Sequence, residues 1–389
     1  VILSGLVFLS FFNPLPESDY WSKLIAALYY FFWSIWILEA ILNIRELVTR
    51  GWKLPKFTLK IISILLLVFI LQFGTLRLNR QAPLILGPIL DKFLPLSIFL
   101  FVILFNIPFQ VLKKIIIIMA KRKISSFKSL KVIGITGSYG KTSTKEFLAT
   151  ILSEKFKVAK TSGFNNTDIG IAKCILRDLK PEYQIFVVEM GAYKKGEIKT
   201  ICDMVKPDMG IITGINEQHL ELFGSLENTM KAKFELVESL PKEGIVILNG
   251  NNSYCLEMAK WAKVKELKIF TFRSDTDIKN IKVFQDHLEF SLIDKNKRMM
   301  IYLLGRQTIE NVLAAIYASK SLGMTLDEIK KGISKIVPTS NTMQFSGKLG
   351  GMTLVDDAFN ANPDGVVAAV EYMKIFKGKK ILVLTPLIE

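Results

Sequence analysis

The feature that most limits how this chain can fold is the set of apolar runs in its first third. Val1–Phe12, Leu24–Ile44, Leu59–Leu76 and Leu94–Leu112 are built mainly of Leu, Ile, Val and Phe. A bilayer core asks for about 20 apolar residues in a helix. The second and fourth runs meet that length, the third is marginal, and the first would need residues ahead of Val1. A signal peptide carries one such run, and core helices of a water-exposed domain keep a polar face that these lack. The expectation is a transmembrane region of about four helices over 1–112, followed by a basic cytoplasmic linker over 113–130.

Charge is distributed to match. Residues 1–131 hold 16 Lys and Arg against 5 Asp and Glu, so most of the net +16 lies in the greasiest third. Arg45, Arg50, Lys53, Lys56 and Lys60 face only Glu46 between the second and third runs. Lys113, Lys114, Lys121, Arg122, Lys123, Lys128 and Lys131 follow the fourth with no acid among them. By the positive-inside rule this puts everything after 113 on the cytoplasmic side of the inner (plasma) membrane. The basic stretch reads as a collar for anionic membrane lipid rather than for nucleic acid. Pro83–Pro95 reads as an interfacial or re-entrant piece, and Glu39 either snorkels or is functional. A hydrophobic share of 50% excludes a disordered chain, and three Cys exclude a disulfide scaffold. The chain opens with Val and stops in mid-pattern after Thr385, which reads as a fragment at both ends.

From Lys131 the texture changes. Val132–Thr136, Ile185–Glu189, Met209–Thr213, Gly244–Asn249 and Lys268–Phe272 are strand-like, with helical patterns between them such as Thr142–Leu152 and Leu226–Leu240. Such alternation predicts an α/β domain with a mainly parallel sheet, which binds ligands at the carboxyl ends of its strands. Gly137–Thr142, Glu189 and Asn216–His219 fall at those ends.

The stretch Thr136-Gly-Ser-Tyr-Gly-Lys-Thr-Ser143 joins a strand to a helix. Its glycines let backbone N–H groups close on phosphate oxygens, and the helix N-terminus favours an anion. Gly137, Ser138, Gly140, Lys141, Thr142 and Ser143 are thus candidate nucleotide contacts, with Lys141 on the β/γ phosphates and Thr142 on Mg²⁺. Ile135 stands where the general P-loop pattern has its first Gly, so only a compact form of the motif is present. Glu189, a carboxylate ending the next strand, suits Mg²⁺. His219 is one of two His; at a strand end it is as readily a ligand as a structural residue. Lys233 reads by composition as a solvated surface lysine. Cys174, Cys202 and Cys255 lack metal spacing and read as small buried hydrophobes.

These residues resemble the Mur ligase family, the ATP-dependent amide ligases of bacterial cell-wall synthesis. The motifs that agree in order are Thr136–Thr142, Thr161-Ser-Gly-Phe-Asn-Asn166, Glu189-Met-Gly-Ala192 with Gly196-Glu-Ile198, and His219-Leu-Glu-Leu-Phe-Gly-Ser225 with Lys233. Gly305-Arg306 with Asn311-Val-Leu-Ala-Ala315, and Asp356-Asp-Ala-Phe-Asn-Ala-Asn-Pro363, follow. The last motif and His219–Ser225 point to the branch that adds the terminal D-Ala-D-Ala dipeptide. The resemblance implies a central ATP-binding P-loop domain over 131–338 and the incomplete start of a Rossmann-like C-terminal domain over 339–389. It implies ATP and Mg²⁺ held by Lys141 and Thr142, a metal shell completed by Glu189 and His219, and a carbamylated Lys233 as an anionic ligand. Asn311 would contact adenine, Asp357 the ribose, and Asn165 and Asn166 the carboxylate substrate. The implied reaction activates a peptide carboxylate as an acyl phosphate and joins it to an amine such as D-Ala-D-Ala.

There are departures. The family's UDP-sugar domain is replaced by the apolar region, which leaves the peptidoglycan-precursor donor either UDP-linked or lipid-linked. Gln307 replaces a frequent His, and Asn341-Thr342 replaces a Gly-Arg. Leu382–Thr385 reads as a strand opening an unfinished domain. A membrane-bound poly-γ-glutamate-type synthetase and a catalytically silent nucleotide-binding scaffold are the rival readings.

Overall fold

A computed structural model describes residues 58–78, 83–163, 165–217, 220–293, 297–339, 342–358 and 363–384, with scattered positions between 31 and 45. The chain divides into two compact units, Val1–Lys113 and Lys114–Glu389.

In the first unit, helix α1 spans Leu59–Leu78 and helix α2 begins at Pro83 and runs to Ser125. Thr58 caps α1, its Oγ1 accepting from the Ile61 amide. The hydroxyls of Thr75 and Ser97 donate back to the Leu71 and Phe93 carbonyls, so neither is left unpaired among apolar neighbours. Ile62, Leu66, Phe69, Ile70, Phe99, Leu104 and Ile107 are exposed. One described helical stretch, Phe93–Ser125, is long and apolar enough to cross a membrane, while the apolar stretch of α1, Ile61–Thr75, is shorter. Of the four expected spans, then, only the fourth reaches that length among the described residues. Val1–Phe12 and most of Leu24–Ile44 lie outside them. The segment expected to be interfacial or re-entrant, Pro83–Pro95, is the opening of α2.

The expected linker 113–130 is also helical as far as Ser125. The reason is packing: Ala120 and Ile124 are buried in the core of the second unit, with Ile116 and Ile117 against it. Lys123 Nζ reaches the Leu176 carbonyl at 2.8 Å.

The second unit is built on a six-stranded parallel sheet. In chain order its strands are β1 (Lys131–Thr136), β2 (Val158–Lys160), β3 (Ile185–Glu189), β4 (Met209–Ile212), β5 (Ile245–Asn249) and β6 (Lys268–Phe272), arranged β2-β3-β1-β4-β5-β6. Helices α3 (Lys141–Leu152), α4 (Asp168–Asp178), α5 (Glu197–Val205), α6 (Leu220–Phe223), α7 (Leu226–Glu238) and α8 (Ser253–Ala262) connect them. Strand alternation sends side chains to opposite faces. Ile133, Ile135, Val187, Ile211 and Ile247 enter one core with α3, α9 (Thr308–Ser321) and α10 (Leu326–Ile333). Val132, Phe186 and Val188 enter a second core with α4 and α5, and Ile212, Val246 and Leu248 a third with α7 and α8.

An antiparallel sheet of β7 (Ile278–Val283), β8 (Leu288–Leu292) and β9 (Arg298–Ile301) adds Ile278, Leu288, Phe290, Met299 and Ile301 to the first core. A hairpin of β10 (Gln344–Leu349) and β11 (Met352–Asp356) and helix α11 (Pro363–Met373) complete the described chain. The strand expected at Leu382–Thr385 is not formed at 381–384: these exposed residues pair with no other described strand. The three cysteines are buried and free, and burial raises all three thiols, Cys202 and Cys255 to about 12.

Candidate nucleotide and metal site

β1 delivers Thr136 to the carboxyl edge of the sheet, where the chain turns through Gly137–Gly140 into α3. A Cβ on Gly137 would lie 2.1 Å from Thr213 Oγ1. Gly140 has φ +75° at the N-cap of α3, and a Cβ there would lie 2.4 Å from Asn311 Oδ1. Glycine alone fits that left-handed, crowded position. The loop is pinned from the β4 side: the Ser138 amide donates to the Gly214 carbonyl at 2.7 Å, Thr213 Oγ1 donates to the Tyr139 carbonyl, and the Asn216 amide donates to Ser138 Oγ at 3.3 Å. Gly140 supplies no side-chain cap to α3, which leaves the positive helix end as an anion site. Lys141 opens that helix and curls over the loop, its Nζ 2.7 Å from the Gly137 carbonyl and 3.0 Å from that of Ser138. Ser143 is buried in the same turn.

Glu189 ends β3 and is 2% exposed. Its Oε1 accepts from Thr142 Oγ1 and Asn166 Nδ2, both at 3.1 Å, and its Oε2 from Lys145 Nζ at 3.1 Å. Thr142 and Glu189 thus meet where the sequence placed the metal. The donor chemistry fits Mg²⁺, which takes hard oxygens and needs one or two carboxylates beside phosphates and water. No cluster of three or more His, Cys, Asp or Glu that would suit a closed protein cage occurs among the described residues.

Lys233, on α7, is not the surface lysine its composition suggests. It is 3% exposed, and its Nζ lies 5.9 Å from the Phe223 ring centre. Burial, then the charge of Lys141, holds its ammonium well below the ordinary 10.5. His219 lies outside the described residues. Asn311 sits beside the loop, its Oδ1 accepting from Thr144 Oγ1 at 3.2 Å. Asn166 turns inward to Glu189, whereas Asn165 is exposed and bonds Ser162 Oγ at 3.3 Å. Asp357 follows β11 and accepts from the Met343 amide at 3.0 Å; burial raises its carboxyl to about 6. No described hydrogen bond joins it to the phosphate loop. Residues 359–362, the centre of the motif that Asp356 opens, lie outside the described residues.

Residues 135–319 match the Mur ligase middle domain. The chain therefore carries that middle domain. It is 35% identical over 267 residues to the UDP-N-acetylmuramoyl-tripeptide–D-alanyl-D-alanine ligase of Escherichia coli K12, an alignment covering 67% of this chain and 58% of that enzyme. The chain therefore spans little more than half the length of that relative. Among solved structures it is similar to MurF from Acinetobacter baumannii (TM-score 0.64, 28% identity, 68% of this chain and 59% of that one). It is also similar to the Thermotoga maritima MurF ligase in complex with ADP (TM-score 0.62, 26% identity, 69% and 62%).

The middle domain contains contacts that the motif reading did not single out. Lys145 lies one turn beyond Lys141 and is wholly buried against Glu189. Its spacing of four from Lys141 was the available signal, since that puts both on one helix face. Asn249, ending β5, donates to Glu310 Oε2 at 2.8 Å, and Asn251 donates to Oε1 at 2.9 Å. The rule that located Glu189, a polar residue at a strand's carboxyl end, applies equally to Asn249.

Proposed function

We propose that this chain is part of an ATP-dependent, ADP-forming ligase of peptidoglycan synthesis that joins D-Ala-D-Ala to the peptide carboxylate of UDP-N-acetylmuramoyl-tripeptide. The observation that carries the reading is the convergence of Lys141, Thr142 and Glu189 at the carboxyl ends of β1 and β3, in a chain this similar to the Escherichia coli enzyme. That relative's activity weighs against both the poly-γ-glutamate-type and the scaffold alternatives.

In this reading the α3 N-terminus and Lys141 bind the ATP phosphates. Thr142 and Glu189, with His219, would hold Mg²⁺, which when bound neutralises charge on the β and γ phosphates. Asn165 and Asn166, on the loop beside Glu189, orient the carboxylate so that its oxygen attacks the γ-phosphorus as the bond to ADP breaks. The amine nitrogen then attacks the acyl carbon, loses a proton and displaces inorganic phosphate. Positioning and charge neutralisation by Lys141 supply most of the catalysis. Asn311 is assigned to adenine and Asp357 to ribose. Burial favours the neutral amine of Lys233, the form that adds to CO₂ with loss of a proton to give a carbamate.

We assign α1 and the apolar part of α2, residues 93–112, to the inner membrane, with the middle domain on its cytoplasmic side. A chain anchored there reaches a lipid-linked donor as well as a UDP-linked one.

The test is amide formation by the full chain from UDP-N-acetylmuramoyl-tripeptide, D-Ala-D-Ala and ATP, with Lys141→Ala as control. ATP-dependent product that the substitution abolishes is expected. ATP turnover stimulated by glutamate and indifferent to D-Ala-D-Ala would overturn the acceptor, and no Lys141-dependent product would leave the scaffold reading. Sedimentation of the protein with the cytosol after cell breakage would overturn the membrane assignment.

A further inference from the structure

Lys145 does not belong to the phosphate-loop motif, yet it is 0% exposed and sits between three elements. Its Nζ lies 3.1 Å from Glu189 Oε2 and 2.7 Å from the Gly163 carbonyl. Glu146 Oε1 approaches it at 3.4 Å, but that carboxylate is shared with Lys160 at the surface. Glu189 is thereby divided. Its Oε2 is taken by a fixed cation, while its Oε1 faces Thr142 and Asn166. A carboxylate neutralised in this way attracts a free divalent cation weakly, because the approaching ion meets Lys145 and, on the loop, Lys141. Triphosphate brings the negative charge that reverses this balance.

We propose that Lys145 is a positioning residue that makes the nucleotide the carrier of the metal: it holds Glu189 so that a divalent cation is bound together with the phosphates and not before them. The same ammonium ties Glu189 to the loop carrying Asn165 and Asn166 through the Gly163 carbonyl, so the metal ligand and the substrate loop are set by one group. The inference rests on reading Thr142 and Glu189 as metal ligands.

The test is Mn²⁺ binding to the purified full chain, followed by the electron paramagnetic resonance of free Mn²⁺, with and without ADP. The wild type with ADP should remove more Mn²⁺ from the free signal than the protein alone and ADP alone remove together. Lys145→Met and Lys145→Gln, the latter able to keep the bond to the Gly163 carbonyl, should bind Mn²⁺ alone at least about fivefold more tightly, the factor one unit charge exerts at contact range even in water. Adding Glu189→Gln should remove that gain. A purely structural lysine would not strengthen metal binding when lost.

The proposal is overturned if wild-type protein binds Mn²⁺ equally well without nucleotide, a measurement that needs no variant to fold. It is also overturned if folded Lys145 variants bind Mn²⁺ alone no better than wild type. If Glu189→Gln leaves Mn²⁺ binding with ADP unchanged, the ligand assignment itself fails, which separates the two failures.

Discussion

Replacing Gly140 with alanine tests how the phosphate loop is held. Gly140 has φ +75°, which for an L side chain costs about 1–2 kcal/mol. The new Cβ would also lie 2.4 Å from Asn311 Oδ1, so the amide must move and give up its bond from Thr144 Oγ1. A lost internal hydrogen bond costs about 0.5–1.5 kcal/mol. The sum is about 1.5–3.5 kcal/mol, or a fall in Tm of roughly 3–14 °C for a domain of this size.

Gly196 provides the matched control, because it has φ +88° and nothing within 4 Å of its Cβ position. Gly196→Ala should therefore show the backbone cost alone and leave ATP affinity unchanged. Gly140→Ala should melt lower than Gly196→Ala and bind ATP at least about tenfold more weakly, as expected when loop amides shift off the phosphates. Trimming the clashing amide in Gly140→Ala/Asn311→Ala should recover part of the stability relative to the sum of the single changes. Thermal unfolding by circular dichroism and ATP titration read both effects. If the two glycine variants melt together and bind ATP equally, the packing argument for the loop is wrong.

Lys233→Met should raise Tm at neutral pH while abolishing ligation, because folding holds this buried amine away from the charged form it prefers in water. The sign follows from linkage: the folded-state value lies below the ordinary 10.5, so the unfolded chain binds the proton more readily and wild-type stability rises with pH across that window. The gap between variant and wild type, measured in CO₂-free buffer, should close toward high pH; a gap that widens would refute the assignment. Asp357→Asn should leave stability less dependent on pH between about 4 and 6. Burial raises the folded carboxyl from 3.8 to about 6, so the wild type loses stability as pH rises through that interval, and unfolding midpoints across it check this.

The repeating pattern of the chain was readable because it rests on local chemistry. Five parallel strands and the turn at Gly137–Gly140 follow from short β-branched runs, glycines and a helix start, each visible in a few neighbouring residues. Glu189 was readable because strands of such a sheet end at the ligand edge. β2 escaped because its three residues carry little pattern and exist as a strand only by pairing with β3. The end of α2 was misjudged for a similar reason: its charges suggested a linker, and only the core that receives Ala120 and Ile124 makes it a packed helix.

Lys233 and Lys145 mark the division most clearly. By composition both read as solvated lysines, and the spacing of Lys145 from Lys141 marks a shared helix face but not burial. Burial is a property of what the rest of the chain places around a side chain, and Phe223, Gly163 and Glu189 arrive from distant positions. The sequence alone determined which loop can grip phosphate, since backbone amides and glycine need no distant partner. Tertiary packing decided which lysines lose water, and with it which of them can act as more than a charge in solvent.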